Sequence, residues 1–279
     1  MSSPKTIVYF LVLSFFTLLI SCSTDNDNEP ETVAVDNDNS DEDDGDEDNN
    51  GDGDGNNING SCEEGKTPIF IEKDGILTIE IEKSDFENTS WSMEESIEGF
   101  SGDGYLVWTG DNLFRDPGSG LLTYKIRIST PGTYRFIWRS NITIGDDNTE
   151  HNDSWLRIPD ANHFYGLRND GHIVYPKGTT LDPIPESEGQ ESTEPEGAGK
   201  DGWFKIFMNN ANSWEWRSAT SDNDGHNIYV IFDAVGDYTI EISGRSTGHG
   251  IDKMVLFTDT TTPQNATDNN TTVNDIKCE

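Results

Sequence analysis

Basic residues are scarce in this chain of 279 amino acids, which carries 18 Lys and Arg against 53 Asp and Glu. Phosphate binding depends on clusters of Lys and Arg, so this deficit argues against nucleic acid as a partner. It argues equally against adsorption to an anionic membrane surface. Neutral or cationic ligands and bound Ca²⁺ are compatible with it, and a local basic pocket would still accept an anionic ligand.

Patterns typical of helices and of common catalytic centres are also missing. No segment shows a sustained helical period of apolar residues. No nucleophile motif is present, and the histidines have no zinc-ligand spacing. The histidines are His151, His163, His172, His226 and His249. These absences favour a protein that binds a ligand over one that catalyses a reaction.

A long apolar run occurs at the N-terminus, over residues 7–20, and Lys5 lies just before it. Its length is that of a signal-peptide core and is too short to span a bilayer comfortably. It ends in Leu19-Ile20-Ser21-Cys22. This ending resembles the lipobox of bacterial lipoproteins, in which the cysteine is acylated and becomes the new first residue. We therefore expect a signal peptide over residues 1–21 and a lipid anchor on Cys22, with a plain signal peptide as the alternative.

The next segment is strongly acidic. Residues 23–61 contain 15 Asp and Glu and no Lys or Arg, with Asn, Gly and Ser filling most of the rest. Such a composition cannot bury a core and repels itself, so residues 22–61 are predicted to form a lipidated, disordered tether. A folded domain is predicted over residues 62–260, followed by a polar C-terminal tail over 261–279.

Two cysteines remain beside Cys22, and they bracket the predicted domain. Cys62 and Cys278 lie near its two ends, and the termini of compact domains are often close together. In an oxidising compartment such a pair can form a disulfide. Two free thiols in frayed ends are equally compatible with the sequence.

From residue 69 onward, short runs of β-branched and aromatic residues alternate with polar ones and are separated by turn residues. Period-two runs at short spacing are typical of a β-sandwich or barrel, so the domain is predicted to be all-β. Residues 159–202 interrupt this pattern with a long, polar, proline-containing segment. We expect its first half to pack on the domain and its second half, from Glu186 to Gly199, to be mobile.

A series of motifs appears along the domain in a fixed order. They are Gly104-Tyr105-Leu106, Leu121-Leu122-Thr123-Tyr124, Pro131-Gly132-Thr133-Tyr134-Arg135-Phe136, Arg139-Ser140, Gly236-Asp237-Tyr238-Thr239-Ile240, Gly244-Arg245-Ser246 and Ile251-Asp252-Lys253-Met254-Val255-Leu256. Together they resemble the galactose-binding-like jelly rolls of family 6 and family 35 carbohydrate-binding modules, over residues 68–258. The resemblance implies a jelly-roll β-sandwich with a long loop insertion.

The resemblance also implies a structural Ca²⁺ between the first and last strands. Its ligands would be Glu80, Glu82 and Asp252. Carboxylates two residues apart on a strand point the same way, and Ca²⁺ prefers several oxygen ligands. The alternative is an exposed strand face with ordinary charges.

The same resemblance implies a sugar site in loops at one edge of the sandwich. The aromatic candidates for stacking on a sugar ring are Trp108, Trp214, Trp216 and Tyr165. The polar candidates are Arg139, His151, Asn152, Asp153, Arg157, Asp222, Arg245 and His249. Core packing is the alternative for each aromatic residue, and an internal pair with Asp153 is the alternative for Arg139.

These expectations combine into a non-catalytic, cell-surface, glycan-binding lipoprotein of the outer membrane. The acids at Asp25, Asp27 and Glu29 resemble the surface-export signal of Bacteroidetes-type lipoproteins. By that resemblance the expected partners are an algal or plant polysaccharide, a SusD-like protein and a TonB-dependent transporter. A polysaccharide lyase or glycoside hydrolase is one alternative. A calcium-stabilised structural or adhesive surface protein is another.

Overall fold

The computed structural model describes residues 62–63, 65–185, 193–210, 213–269 and 272–279. The predicted signal peptide, Cys22 and acidic tether lie outside the described residues, as do residues 186–192 of the predicted mobile segment. Within the described ranges, no helix has the length and apolar character needed to cross a membrane.

The described residues form strands almost throughout, as the alternating sequence predicts. The strands are β1 Pro68–Ile71, β2 Ile76–Glu80, β3 Trp91–Glu94, β4 Tyr105–Trp108, β5 Leu122–Ile128, β6 Gly132–Ile142, β7 Asp153–Arg157, β8 His163–Leu167, β9 Ile173–Val174, β10 Phe204–Phe207, β11 Glu215–Trp216, β12 Asn227–Phe232, β13 Gly236–Ser243, β14 His249–Phe257 and β15 Ile276–Cys278. A 3₁₀ helix at Ile81–Lys83 and a short helix, α1, at Pro263–Ala266 complete the elements. The all-β prediction is confirmed.

The strands form two sheets that enclose one main core. One sheet has the order β10-β7-β13-β5-β1-β15. The other has the order β3-β4-β14-β6-β12-β8-β9, with β2 pairing β14 and β11 pairing β6. The pairing is antiparallel apart from β1 beside β5, which is parallel. The arrangement is a β-sandwich in which the ends of neighbouring strands gather loops from distant parts of the chain.

Period-two alternation determines which side chains enter the core. In β5, Leu122, Tyr124 and Ile126 are fully buried, whereas Thr123 and Lys125 are exposed. Successive strand residues point to opposite faces of a sheet, so one face of β5 packs inward and the other meets solvent. Each fully buried side chain of this size contributes about 1.5–3 kcal/mol by leaving water.

Residues 261–279, predicted to be a polar tail, belong to the domain, so that prediction is wrong. Strand β15 pairs with β1 at the edge of its sheet, and Ile276 and Ala266 are buried. The Asn274 side chain accepts a hydrogen bond from the Thr78 amide at 2.8 Å and donates to the Ile71 carbonyl at 2.9 Å. Backbone pairing and the Asn274 side chain therefore help to hold this segment, and polar composition does not reveal either.

The first half of the long segment 159–202 packs on the domain, as its composition predicts. Tyr165, Tyr175 and Ile184 form a small apolar cluster of their own against the domain. Beyond the gap in the description, Thr193 forms a bridge to Val174 in β9. The residues from 193 to 199 therefore make defined contacts with the domain, where the sequence predicts a mobile chain.

A disulfide joins Cys62 to Cys278, with the two Cα atoms 5.6 Å apart. It connects the two ends of the domain across a sequence separation of 216 residues and settles the alternative that the sequence leaves open. Closing so long a loop restricts the unfolded chain much more than the folded one.

We predict that replacing both cysteines, in Cys62→Ala/Cys278→Ala, lowers the free energy of unfolding by about 2–5 kcal/mol. Urea denaturation of the oxidised protein and the double variant measures the difference. The oxidised protein after reduction should match the double variant. Equal unfolding midpoints for all three samples would contradict a stabilising role for the bridge.

Candidate functional site

Three loops meet at one end of the sandwich, and hydrogen bonds join them. They follow β4 (109–121), connect β6 to β7 (143–152) and connect β13 to β14 (244–248). The Leu113 amide donates to the Arg245 carbonyl at 2.7 Å, and the Thr247 amide donates to Asn112 Oδ1 at 2.9 Å. Both of these bonds join the loop after β4 to the loop between β13 and β14. The Thr143 amide donates to the Gly248 carbonyl at 2.9 Å and joins the third loop to them, so the three segments form one continuous surface.

This surface surrounds a cavity of about 450 Å³, called the Asp153 pocket here. The pocket is lined by Asn112, Phe114, Thr149, Glu150, His151, Asp153, Lys205, Arg245 and Ser246. The structure thus brings three of the predicted sugar-site residues together, namely His151, Asp153 and Arg245. A concave site with a few convergent polar groups is the usual form of a small-ligand site.

Asp153 occupies the base of the pocket, where β7 begins. Its buried carboxylate forms an ion pair with the buried guanidinium of Arg245 and accepts a hydrogen bond from Ser246 Oγ. Lys205 Nζ lies 4.0 Å away from the same carboxylate and also pairs with Asp222. The internal partner of Asp153 is therefore Arg245, where the sequence alternative had named Arg139.

Arg245 contacts two aromatic rings. Its guanidinium carbon lies 5.0 Å from the ring centre of Phe114 and 5.0 Å from that of Trp155. Its Nε is buried and has no hydrogen-bond partner among the described residues. Cation–π contacts and the ion pair with Asp153 therefore fix the guanidinium in place before any ligand arrives.

Phe114 supplies the exposed aromatic face of the pocket, with 49% of its surface accessible. Sequence reasoning missed this residue because a Leu-Phe pair looks like core. The sequence does contain a signal that Phe114 lies in a loop, because polar and turn-forming residues flank the Leu-Phe pair on both sides. A large ring that is half exposed beside a cavity is more informative than scattered surface apolar residues.

His151 is held at the rim of the same pocket. Its backbone lies in the left-handed region, with φ of 55°, and its Nδ1 lies 2.5 Å from the Thr247 carbonyl oxygen. A carbonyl only accepts, so Nδ1 carries the proton in this bond. In the neutral ring Nε2 then remains an acceptor, which is the group that a ligand hydroxyl can use.

Trp108 and His249 lie in the interior, so the prediction that they contact a ligand is wrong. Trp108 is 3% exposed and packs edge-on against Trp91, in space that Gly244 leaves by lacking a Cβ. His249 is fully buried, and its Nδ1 contacts Ser154 Oγ at 2.8 Å. Burial lowers the pKa of His249 to about 4, so this ring is neutral at physiological pH.

Arg139 is also not available to a ligand, contrary to prediction. It forms a buried ion pair with Asp252 at 2.6 Å and donates to the Gly99 carbonyl at 2.8 Å. Trp214 covers it, with the guanidinium carbon 5.4 Å from the ring centre. Both hydrogen bonds of Arg139 Nη1 therefore serve the fold rather than a sugar.

The four predicted aromatic residues do not come together as one platform. Trp214 packs edge-on against Tyr105, at 4.9 Å between ring centres. Trp216 lines a second cavity of about 400 Å³ together with Arg135 and Arg217, and this cavity shares no lining residue with the Asp153 pocket. Tyr165 is 5% exposed and stacks on Tyr229.

The other polar candidates act inside the domain. Asn152 is buried, and its side-chain amide donates to the Met208 carbonyl at 2.5 Å. Arg157 pairs with Glu241 at 2.6 Å, beside the ring of Trp203. The first contact joins the residue before β7 to Met208, and the second joins β7 to β13.

The three predicted calcium ligands gather around the loop at residues 99–103. Ser101 Oγ donates to the Glu80 carboxylate at 2.8 Å, and the Ser101 amide donates to Asp252 Oδ1 at 2.8 Å. Glu82 accepts from the Asp103 amide at 3.2 Å. Glu82 lies in the 3₁₀ helix that follows β2, so the predicted alternation of two acids on one strand is wrong.

The carboxylate cluster has the chemistry of a Ca²⁺ site. Burial raises the pKa of Glu82 to about 7 and also raises the pKa of Glu80. Glu82 Oε2 is buried with no hydrogen-bond partner among the described residues. A buried carboxylate oxygen without a partner fits a hard cation, with Glu80 and Glu82 as the residues that would hold it. Asp252 already has Arg139 as its counter-charge.

No protein-family model and no curated protein matches this chain. Solved structures do resemble it. The Podospora anserina GH26-CBM35 β-(1,4)-mannanase is 17% identical with a TM-score of 0.39, and the match covers 68% of this chain and 29% of that one. CBM35 from Cellvibrio japonicus Abf62 is 12% identical with a TM-score of 0.33, covering 66% and 93%.

A third similar structure is a Xyl-CBM35 in complex with a glucuronic-acid-containing disaccharide. It is 11% identical with a TM-score of 0.34, and the match covers 65% of this chain and 93% of that one. The chain spans less than a third of the mannanase, whereas it spans nearly all of the two isolated modules. At TM-scores below 0.5, the ligands of these proteins are not transferred to this chain.

The buried Arg139–Asp252 pair generates a prediction that separates a structural role from ligand contact. Arg139→Met should lower the free energy of unfolding by about 3–5 kcal/mol, because it leaves Asp252 buried without its counter-charge. Urea denaturation measures the change. Arg127→Met, which breaks a solvent-exposed pair with Asp237, is the matched control and should change stability much less. Equal effects of the two substitutions would contradict this role.

Proposed function

We propose that this protein is a non-catalytic glycan-binding protein and that its sugar site is the Asp153 pocket. The observation that carries the proposal is the exposed ring of Phe114 beside the fixed Arg245–Asp153 pair, inside a cavity between three loops. A flat apolar ring suits the C–H face of a pyranose, while the polar groups around it suit its hydroxyls.

Pre-organisation supports a binding role for this pocket. Trp155 and Phe114 restrain Arg245, Ser246 restrains Asp153, and Thr247 restrains His151. Groups that are already ordered lose little conformational freedom when a ligand binds, so more of the contact energy appears as affinity. The charges of Arg245 and Lys205 are balanced locally by Asp153 and Asp222, which is compatible with a neutral or a weakly acidic sugar.

The absence of catalysis is part of the proposal. The Asp153 carboxylate is engaged by Arg245 and Ser246, which supports a positioning role over acid–base chemistry. A polysaccharide lyase or glycoside hydrolase is the competing function. It predicts products that a binding protein does not release.

The cellular setting that we propose follows from the N-terminal sequence. Cys22 would carry lipid and hold the protein at the outer membrane, with the acidic residues after it as a tether. The partners would be an algal or plant polysaccharide, a SusD-like protein and a TonB-dependent transporter. A tethered binding domain would then keep a large polymer close to the transporter.

Affinity electrophoresis of the full chain against a panel of algal and plant polysaccharides tests the proposal. We predict that at least one polysaccharide retards the wild type and that Phe114→Ala weakens its binding about tenfold or more, a loss of about 1.4 kcal/mol. Val235→Ala removes an aliphatic side chain that is 65% exposed and lies outside the pocket lining, so it should bind as the wild type does.

Retardation by none of the glycans would contradict the binding function. Unchanged binding by Phe114→Ala combined with lost binding by Trp214→Ala would move the site to the face around β6. Release of reducing ends or unsaturated products from the same glycans, by the wild type, would replace the binding function with an enzyme.

We also propose that Ca²⁺ binds at Glu80 and Glu82 and stabilises the end of β2 beside β14. The support is the buried Glu82 Oε2, which has no hydrogen-bond partner among the described residues, and the oxygen-only donor set. The other carboxylate oxygen of Glu82 has the Asp103 amide and Lys83 as partners, so Ca²⁺ would serve the oxygen that is left, and binding to the folded state stabilises it.

Calcium at a hundredfold excess over its dissociation constant should stabilise the folded protein by about 2.7 kcal/mol relative to EDTA-treated protein. Thermal unfolding of the full chain with and without CaCl₂ measures the shift. Glu82→Gln should abolish the rise in melting temperature that CaCl₂ causes. Glu87→Gln, which removes an exposed acid outside the cluster, should retain the rise and thereby controls for weak Ca²⁺ binding by other carboxylates. A melting temperature that is indifferent to EDTA would remove the calcium proposal.

A further inference from the structure

A second group of ligand-type side chains lies away from both the Asp153 pocket and the carboxylate cluster. His172, Asp224 and His226 each offer a ligand atom, and these atoms lie within 4.8 Å of one another. His172 directly precedes β9, and His226 directly precedes β12. The fold therefore brings together two histidines that are 54 residues apart, which is why local spacing in the sequence shows no metal motif.

The orientation of His226 is set by its own turn. Its Nδ1 lies 2.5 Å from the Asp224 carbonyl oxygen, and a carbonyl only accepts, so Nδ1 carries the proton. In the neutral ring, Nε2 then has a lone pair. That lone pair faces His172 Nδ1, which is 2.8 Å away.

The orientation of His172 is set by Thr193. Thr193 Oγ1 lies 3.0 Å from His172 Nε2 and 3.3 Å from the Ile173 carbonyl oxygen. The Thr193 hydroxyl has one proton. If the hydroxyl donates this proton to the Ile173 carbonyl, its oxygen accepts a hydrogen bond from His172 Nε2–H. His172 Nδ1 then presents a lone pair to His226 Nε2. Two lone pairs at this distance repel each other unless a cation lies between them.

The surroundings favour a metal ion over an extra proton. His226 is fully buried, so an ion held between the two rings would be shielded from bulk water on that side. A hydrogen bond from the other ring nitrogen to a carbonyl or hydroxyl oxygen is the arrangement that fixes metal-binding histidines. Asp224 is held in place by Arg168, which also pairs with Asp170 at 2.6 Å.

We propose that His172, His226 and Asp224 bind a divalent transition-metal ion such as Zn²⁺. Two imidazole nitrogens and a carboxylate suit Zn²⁺, Cu²⁺ or Ni²⁺, whereas Ca²⁺ and Mg²⁺ prefer oxygen ligands. The ion would tie the β8–β9 region and the Thr193 segment to the start of β12. This site is independent of the glycan and calcium proposals.

Calorimetric titration with ZnCl₂ tests the site. The sample is the full chain without a histidine tag, treated with EDTA and exchanged into buffer containing excess CaCl₂ to occupy the acidic groups. Every sample carries Cys22→Ser, because the unlipidated thiol is itself a zinc ligand. We expect one equivalent of Zn²⁺ to bind, and His172→Gln to weaken binding by at least tenfold.

The matched control is His163→Gln, which removes a histidine from the neighbouring strand β8 and should leave Zn²⁺ affinity unchanged. No binding by the wild type, or equal affinity of the wild type and His172→Gln, would overturn the site and leave a simple hydrogen bond between the two rings. If circular dichroism shows that His172→Gln does not fold, Thr193→Val takes its place. Zn²⁺ affinity about tenfold weaker in Thr193→Val than in the wild type supports the site, and unchanged affinity contradicts the site.

Discussion

The buried pair between Asp153 and Arg245 is the interaction on which the loop end of the sandwich depends. Asp153 begins a strand of one sheet, and Arg245 lies in the connection between the two sheets. Two charges removed from water are tolerated only when they satisfy each other and their remaining hydrogen-bonding groups are served. Ser246 serves the Asp153 carboxylate, and the rings of Phe114 and Trp155 contact the Arg245 guanidinium, so the same contacts shape the pocket.

The sandwich itself could be predicted from the sequence because alternation is a local property. In strands such as β5 and β13, apolar and polar residues alternate along the sequence. The C-terminal segment could not be predicted in the same way. Its place in the sheet depends on Asn274 and on a disulfide partner more than two hundred residues away, and neither has a periodic signature.

The site was predictable only in part, for a related physical reason. The family resemblance implies that His151, Asp153 and Arg245 belong to a site in loops at one edge of the sandwich, and the structure brings them together. The sequence does not indicate which side chains are exposed to solvent. The buried Trp108 and His249 are therefore as plausible ligand contacts from the sequence as Phe114, which is half exposed. Exposure depends on which strands cover a residue, and that is decided by contacts between distant segments.

The most direct measurement of the central claim is the set of backbone amides that respond to a bound sugar. An oligosaccharide from a retarding polysaccharide is titrated into ¹⁵N-labelled full-length protein, and amide chemical shifts are followed. Binding in the Asp153 pocket predicts the largest changes at residues 112–114, 149–153 and 245–247. If the largest shift changes occurred around Trp214 and Trp216, and the amides of those three loops did not respond, binding in the Asp153 pocket would be contradicted.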